Sequence, residues 1–229
     1  MNFRLSRAFC AVLIASVVAV GACSSSETPA PSPVPTSGPR SAPPASGTCP
    51  TLEPPPLAAD QIRTVTIKTS KGSIVIKVEG KLAPIATGNF VALATCGYYT
   101  AVVFHRLVPG FVIQAGDGQV GRKPNVDVNQ VGQGGPGYTI EDEPVIGDYT
   151  RGTVAMARTP APNSQGSQFF ICLADLSGKL DKAGDYVIIG HVTTGMDAVD
   201  AIAADPNSGP PNNQALAPVS MDTVAVATP

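Results

Sequence analysis

Short apolar runs, many of them alternating with polar residues and bounded by turn residues, recur along residues 61–229. The first two runs, Ile62–Thr69 and Ser73–Glu79, flank a Ser-Lys-Gly turn and are typical of a β-hairpin. Comparable runs predict further strands at Val102–Leu107, Phe111–Ala115, Gly152–Ala157, Gln168–Leu173, Tyr186–Val192 and Val219–Ala227. The pattern therefore predicts a mainly β domain built of short strands.

Two segments have a helical pattern instead. Pro84 suits the first turn of a helix and Gly97 suits its end. Between them lies an apolar stripe formed by Phe90, Val91, Leu93 and Ala94. A second, short helix is predicted to begin near Met196. Many short strands with only two helices favour a closed antiparallel β-barrel whose open ends are covered by the helices.

The N-terminus has the pattern of an export signal. Arg4 and Arg7 precede an apolar run, Ala8–Val20, that is too short for an ordinary membrane span and is followed by small residues. Residues 1–22 are therefore predicted to be a signal peptide. The end of this segment, Val20-Gly21-Ala22-Cys23, resembles the bacterial lipobox, in which the cysteine thiol is diacylated before cleavage. We expect lipidation at Cys23 and anchoring to the extracytoplasmic face of a bacterial cell membrane; the alternative is a plain signal peptide with an incidental cysteine.

Residues 23–60 are predicted to be a disordered linker. The stretch 24–60 holds 11 Pro in 37 residues and almost no bulky aliphatic side chains, so it buries too little surface to fold. Such a segment acts as a semi-rigid spacer between the membrane and residues 61–229. The alternative is a docking segment for modules that bind proline-rich sequences.

The composition argues against one class of partner. With 43% hydrophobic residues, 14% charged residues and a formal net charge of −2, the chain lacks the basic surplus of a nucleic-acid binder. Aromatic residues make up only 5% and Trp is absent, so platforms for stacking bases are not expected. No spacing of His and Cys typical of a metal site occurs, and we expect neither a metal ion nor a cofactor.

Three cysteines belong to the mature part of the chain after Cys23, an odd number for an oxidising compartment. Cys172 lies in the apolar run FFICLA and is predicted to be a buried thiol. One pairing open to the others is a Cys49–Cys96 bridge, which would tie the end of the linker to the domain.

The stretch FHRLVPGFVIQAGD, residues 104–117, carries the first sign of chemistry. Its two apolar runs flank a Pro109-Gly110 turn signal, which suggests two short strands that line one wall. A charged guanidinium is costly to bury without partners, yet Arg106 stands among apolar neighbours. These features predict a groove with an apolar floor and one fixed cation.

Five blocks of the chain resemble, in order, those of the cyclophilin-type peptidyl-prolyl cis/trans isomerases. They are FHRLVPGFVIQAGD (104–117), GQGGPGYTIEDE (132–143), GTVAMA (152–157), NSQGSQFFICLA (163–174) and YVIIGHVTTGMDAV (186–199). The resemblance covers about the whole of 61–229. It implies an eight-stranded barrel with a helix at each end, and a groove for proline on its outer face.

The resemblance also implies roles for particular residues. Arg106 corresponds to the catalytic arginine, Gln114 would hold its guanidinium in place, and His105 would line the groove and contact the substrate. The apolar cup for the proline ring corresponds to Phe111, Val112, Phe170 and Leu180. Phe169, on the opposite strand face, is expected in the core. The remaining substrate-binding positions are Gly132, Ala157, Arg158, Gln168 and Tyr186.

The chain departs from the family pattern at several positions. Val112 stands where many members have Met, Arg158 replaces the usual Asn, and the stretch ARTPAPNSQGSQ is one residue longer. The loop 118–131 is also expanded. Lys179 occupies the position of a Trp in members that bind cyclosporin, which implies weak cyclosporin binding here.

These observations together predict a monomeric isomerase of X–Pro bonds whose partners are proline-containing peptides and unfolded or envelope proteins. The alternative is a non-catalytic module or chaperone that binds proline peptides on the same scaffold. A hydrolase built on His105 and a serine is disfavoured, because no G-x-S-x-G elbow occurs.

Overall fold

The computed structural model describes residues 47–183 and 186–228. The predicted signal peptide, Cys23 and residues 24–46 of the predicted linker lie outside these residues. Within the described ranges, none of the helices has the length and apolar character that crossing a bilayer requires.

The described chain is built around one sheet of eight antiparallel strands. The strands are β1 (Ile62–Thr69), β2 (Gly72–Glu79), β3 (Phe104–Val108), β4 (Val112–Ala115), β5 (Thr153–Met156), β6 (Phe169–Cys172), β7 (Ile188–Thr194) and β8 (Thr223–Ala227). Their order in the sheet is β3-β4-β6-β5-β7-β2-β1-β8. The predicted hairpin is confirmed, with Thr69 of β1 opposite Gly72 of β2.

The two end strands, β3 and β8, do not pair with each other as regular neighbours. Instead, the N–H of Phe104 donates to the carbonyl oxygen of Val219 at 2.9 Å, and that of Met221 donates to Val102 at 2.8 Å. The prediction of eight antiparallel strands is therefore confirmed, whereas closure into a barrel by regular strand pairing is not seen in the described part of the chain. The predicted strand 219–227 is divided, because only its second half pairs with β1.

Three helices accompany the sheet in the described residues, not the predicted two. They are α1 (Pro84–Thr95), α2 (Ser177–Ala183) and α3 (Met196–Ala203). Helix α1 packs against β1, β2 and β8, and α3 packs against β2, β3 and β4. Helix α2 was missed because seven residues, SGKLDKA, are too short to show an apolar period.

Helix α1 takes its N-terminal cap from a distant loop. Its N-cap residue, Ala83, has no side chain that could accept a hydrogen bond. The carboxylate of Glu143 accepts from the N–H of Ile85 at 2.9 Å and from that of Ala86 at 2.8 Å. An anion at this end also interacts favourably with the helix dipole.

Replacing Glu143 by Gln is expected to lower the free energy of unfolding by about 1 kcal/mol, because the charge and one of two acceptors are lost. Urea denaturation of both proteins measures this difference. Glu141→Gln is the matched control, since Glu141 is exposed in the same loop. Equal denaturation midpoints for wild type and Glu143→Gln would contradict the assignment of the cap.

Strands β5 and β6 are buried on both faces, and successive residues of β6 face different apolar clusters. Phe169 and Ile171 of β6 join the main core, where Phe169 stacks edge-on against Phe90 and Tyr99. Phe170 and Cys172 join a second cluster on the other face. The predicted core position of Phe169 is confirmed. The second cluster supports the candidate site.

The predicted linker boundary at residue 61 needs correction. Leu57, inside the segment predicted to be disordered, is only 6% exposed and belongs to the main core. Its N–H donates to the carbonyl oxygen of Pro84 at 2.9 Å. A Cys49–Cys96 disulfide, one of the pairings that the sequence left open, ties the same segment to the end of α1. The average composition of the linker gave no sign of these two attachments, the buried Leu57 and the Cys49–Cys96 disulfide.

Cys172 is the free cysteine of the described residues, and it is fully buried as predicted. Burial raises the pKa of its thiol to about 12. The thiol therefore stays protonated at neutral pH and has little reactivity.

Candidate active site

Strand register brings the polar and apolar halves of the site together. Arg106 on β3 lies opposite Gln114 on β4, and Gln114 lies opposite Phe170 on β6. Phe170 in turn lies opposite Ala155 on β5. Residues far apart in sequence thus form one row across four strands.

A cavity of about 310 Å³ opens beside this row. Nine of the predicted site residues line it: Arg106, Phe111, Val112, Gln114, Ala157, Arg158, Phe170, Leu180 and Tyr186. We call this cavity the proline cup. Gly132, Gln168 and His105 do not line it, and each lies in an adjoining cavity.

The floor of the proline cup is apolar and well packed. The rings of Phe170 and Tyr186 meet edge to face with centroids 5.4 Å apart. Val112 and Leu180 are buried, and both belong to the same cluster as Phe170. Helix α2 supplies Leu180, so the helix that the sequence did not predict completes the cup. The neighbouring Lys179 is exposed and is not among the lining residues.

Arg106 stands half-buried at the polar rim of the cup. Its Nη1 donates to Oε1 of Gln114 at 3.4 Å, the long end of the hydrogen-bond range. No carboxylate of the described residues forms an ion pair with it. The guanidinium is therefore oriented by Gln114, and no acidic side chain of the described residues neutralises it at the rim.

A chain of hydrogen bonds leads away from Gln114 to a buried carboxylate. Gln114 Nε2 donates to Gln168 Oε1 at 2.9 Å. Gln168 Nε2 donates to the carbonyl oxygens of Gly132 at 2.8 Å and Gly134 at 2.9 Å. The N–H groups of the same two glycines donate to Asp117 Oδ2 at 2.8 and 2.9 Å. We call this series the amide relay; it fixes the side chain that orients the arginine.

Asp117 is the residue that sequence reasoning missed. It is completely buried, and its second oxygen, Oδ1, accepts from the N–H groups of Gln119 and Val120, both at 3.1 Å. The available signal was its place directly after Gly116, at the head of a glycine-rich loop. Four backbone donors that converge on one side chain are a tertiary feature, and periodicity does not show them.

His105 was predicted to line the groove and contact the substrate. The structure places it beside the proline cup instead, in a second cavity of about 340 Å³. The side chain is 5% exposed, and within the described residues neither ring nitrogen has a hydrogen-bond partner of normal geometry. Burial lowers its pKa to about 4, against the opposing charge of Asp117. At neutral pH the imidazole is uncharged.

The buried His105 makes stability depend on pH. The unfolded chain takes up the proton near pH 6.5, whereas the folded protein takes it up only near pH 4, so stability is lost as pH falls through this window. From pH 7 to pH 5 the free energy of unfolding should fall by about 2 kcal/mol through this residue. Urea unfolding at both pH values, on wild type and His105→Gln, measures the contribution.

His191→Gln is the matched control, since His191 is the chain's other histidine and is partly exposed on β7. The control should keep the pH dependence of wild type. The same loss of stability in His105→Gln as in wild type would contradict this assignment.

Arg158 supports the wall between the cup and a third, larger cavity of about 710 Å³, which also contains Gly132 and Gln168. Its Nη2 lies 3.2 Å from Asp142 Oδ2 and donates to the carbonyl oxygen of Ala161 at 3.1 Å. The guanidinium that replaces the family's usual Asn is therefore held within the wall by protein groups.

Comparison with known families gives one consistent result. A family model described as cyclophilin type peptidyl-prolyl cis-trans isomerase/CLD matches residues 64–226. A probable peptidyl-prolyl cis-trans isomerase of Brucella abortus is 40% identical over 151 residues, which are 63% of this chain and 74% of that protein. Peptidyl-prolyl cis-trans isomerase B of Escherichia coli is 38% identical over 144 residues, 60% of this chain and 82% of that protein.

Solved structures agree with this match. A cyclophilin type peptidyl-prolyl cis-trans isomerase of Cryptosporidium parvum covers 73% of this chain and 99% of its own, with 27% identity and a TM-score of 0.62. A structure of the same protein in the presence of the dipeptide Ala-Pro has 28% identity and a TM-score of 0.61, over 72% of this chain and 99% of its own.

Proposed function

This chain belongs to the cyclophilin-type peptidyl-prolyl cis-trans isomerases, and from that premise we propose that it uses Arg106 to isomerise X–Pro bonds of extracytoplasmic proteins. The observation that carries the mechanism is the position of Arg106, oriented by Gln114 at the rim of the apolar proline cup. A fixed positive charge beside an apolar pocket is the arrangement that would accelerate rotation about a prolyl bond.

The reaction needs no bond to be made or broken at the chain. Amide resonance sets a barrier of about 18–20 kcal/mol to rotation about an X–Pro bond. As the bond twists, the imide nitrogen recovers its lone pair and becomes a better hydrogen-bond acceptor. A guanidinium aimed at that nitrogen stabilises the twisted form over either planar isomer, and only such differential binding accelerates the step.

The magnitudes are consistent with this assignment. Reducing the exchange time from tens of seconds to about a millisecond takes roughly four powers of ten, or about 5–6 kcal/mol. One preorganised donor in a low-dielectric site contributes about 3–4 kcal/mol. The apolar walls at Phe111 and Phe170 supply the remainder by holding the ring and removing water from the amide.

Proton transfer plays no part in this mechanism. The neutral His105 lies outside the proline cup, and its low pKa keeps it uncharged over the physiological range. Activity between pH 6 and pH 8 should therefore show no step that depends on this imidazole.

We expect the substrates to be proline-containing segments of unfolded or envelope proteins, with the enzyme held at the membrane through Cys23 and acting as a monomer. A binding module without catalysis remains the second candidate. The amide relay favours the enzyme, because a module that only binds proline gains nothing from fixing the orientation of Arg106.

Magnetisation exchange between the cis and trans signals of a short Ala-Pro peptide tests the activity. Catalytic amounts of the protein should raise the exchange rate far above the uncatalysed value. Binding of the peptide without faster exchange would favour the module and refute the enzyme.

Replacing Cys23 by Ser tests the location. We expect this variant to leave the membrane fraction, because the thiol that would carry the lipid is absent. Fractionation of cells that express each form provides the measurement, and Cys10→Ser, within the predicted signal peptide, is the matched control. Retention of Cys23→Ser in the membrane fraction would rule out the lipid anchor.

A further inference from the structure

The cavity that contains His105 lies directly against the proline cup. It shares Arg106 and Gln114 with the cup and has a volume of about 340 Å³. Its other walls are two loops, 128–133 and 211–214. The first lies at the end of the expanded segment 118–131, which the sequence marked as a departure from the family pattern.

Carboxamide side chains dominate this cavity. Five of them line it, from Gln114, Asn129, Gln133, Asn212 and Gln214. We call the cavity the amide groove. Arg106 is the one charged side chain among its lining residues, and no carboxylate lines it.

The two loops are fixed in place, so the groove is preformed. The side-chain Nε2 of Gln214 donates to the carbonyl oxygen of Val128 and joins the loops directly. The loop 211–214 is also bonded to β3, since Leu107 N donates to Asn213 O at 2.8 Å and Ala215 N donates to His105 O at 2.9 Å. The strand that carries Arg106 thus positions one wall of the groove.

His105 lines the groove as an uncharged wall. Its side chain is only 5% exposed, and its ring nitrogens have almost no surface open to a ligand. Burial lowers its pKa to about 4, so the imidazole is neutral at physiological pH. The polar groups of the groove that remain for a bound side chain are therefore the carboxamides and Arg106.

We propose that the amide groove is a substrate subsite that binds an uncharged hydrogen-bonding side chain, Asn, Gln, Ser or Thr, close to the proline. This inference rests on the proposed isomerase function. Such a side chain can donate to and accept from the carboxamides that line the groove. Because the groove adjoins Arg106, its occupant lies within one or two residues of the X–Pro bond.

The lining also determines what the subsite rejects. A Lys or Arg side chain would face the guanidinium of Arg106 with no carboxylate in the groove to pair with it. An Asp or Glu side chain would pair with Arg106 and draw the guanidinium away from the imide nitrogen. Acidic substrates should therefore bind but be converted slowly.

The test compares peptides that differ in one residue next to an Ala-Pro pair, on either side, with the full chain as enzyme. We expect kcat/KM for the Gln peptide to exceed that for the similar-sized Leu peptide by about fivefold at one of these positions, as one or two net hydrogen bonds would give. In Asn212→Ala this ratio should fall below about two. Asn125→Ala is the matched control, since Asn125 is exposed and lies outside the groove.

Each outcome decides between the two proposals. Equal kcat/KM values for the Gln and Leu peptides with the wild-type protein, while a peptide with Ala at the varied position is converted normally, would overturn the subsite. The isomerase function would then stay intact. A ratio that survives in Asn212→Ala also overturns the subsite. If no peptide is converted, the isomerase proposal fails, and the side-chain amide signals of Asn212 in a ¹⁵N NMR titration with the Gln and Leu peptides decide the subsite alone. Equal shifts with both peptides would then overturn it.

Discussion

Replacing Arg106 by Ala is expected to lower kcat/KM for an Ala-Pro peptide by about two to three orders of magnitude while the protein stays folded. The guanidinium is half-buried, makes no ion pair within the described residues, and touches the protein through Gln114. Its loss therefore removes the donor to the twisted imide and little structural support. The cis/trans exchange assay measures the rate, and thermal unfolding checks the fold.

Two further variants sharpen this experiment. Arg106→Lys keeps a positive charge but lacks the planar fork that Gln114 orients, so its rate should lie between those of wild type and Arg106→Ala. Arg63→Ala removes an arginine on β1 whose guanidinium contacts Ile62 and Gln61, and the rate should not change. Turnover at the wild-type rate in Arg106→Ala would refute the proposed mechanism.

Replacing Asp117 by Asn is expected to reduce stability and catalysis together. The carboxylate accepts from four backbone N–H groups in a completely buried position. An amide would point its NH₂ group at two of these donors, which should lower the free energy of unfolding by about 3–5 kcal/mol. The loop at Gly132 and Gly134 would then be held less firmly. The amide relay would lose the carboxylate at its end.

The catalytic effect of Asp117 passes through other residues, so its test must separate positioning from folding. At a temperature where urea titration shows both proteins to be folded, kcat should fall more than KM changes, since in the proposed mechanism Arg106 acts on the twisted form. Asp127→Asn is the matched control, because Asp127 accepts from Asn129 N on the same loop but is less buried. Asp117→Asn with lower stability and normal kcat would show that the relay does not orient the arginine.

The alternation of apolar and polar residues predicted most of the strands, whereas the site residues came from short blocks that resemble a known family. The resemblance to the family placed Phe170 in the cup, and the period of two then put Phe169 on the opposite face, in the core, where it lies. Phe170 belongs to the second cluster and lines the cavity. The hairpin and the helix that begins at Pro84 were also visible, because turn and capping residues act over a few positions. The grouping of Arg106, Phe111 and Gln114 came from one short block of sequence.

Other features of the site were invisible in the sequence, since they depend on contacts between distant segments. The burial of Asp117 beneath Gly132 and Gly134 requires the loop to fold back over the strand end. His105 lies outside the cup, in a cavity that it shares with loop 211–214, more than one hundred residues further along the chain. Leu57 is another residue whose position the sequence did not reveal. Its neighbours in the sequence are rich in proline and polar residues, yet its own side chain is in the core.

The sequence by itself thus determined where most of the strands lie and which block holds the cation, because these follow from local periodicity and from short motifs. Only the tertiary structure decided how that cation is oriented and what lies beside it. The hydrogen bonds from Gln114 through Gln168 to the glycine loop join segments more than thirty residues apart in sequence. Their geometry is set by packing of the whole sheet, and no pattern within one segment records it.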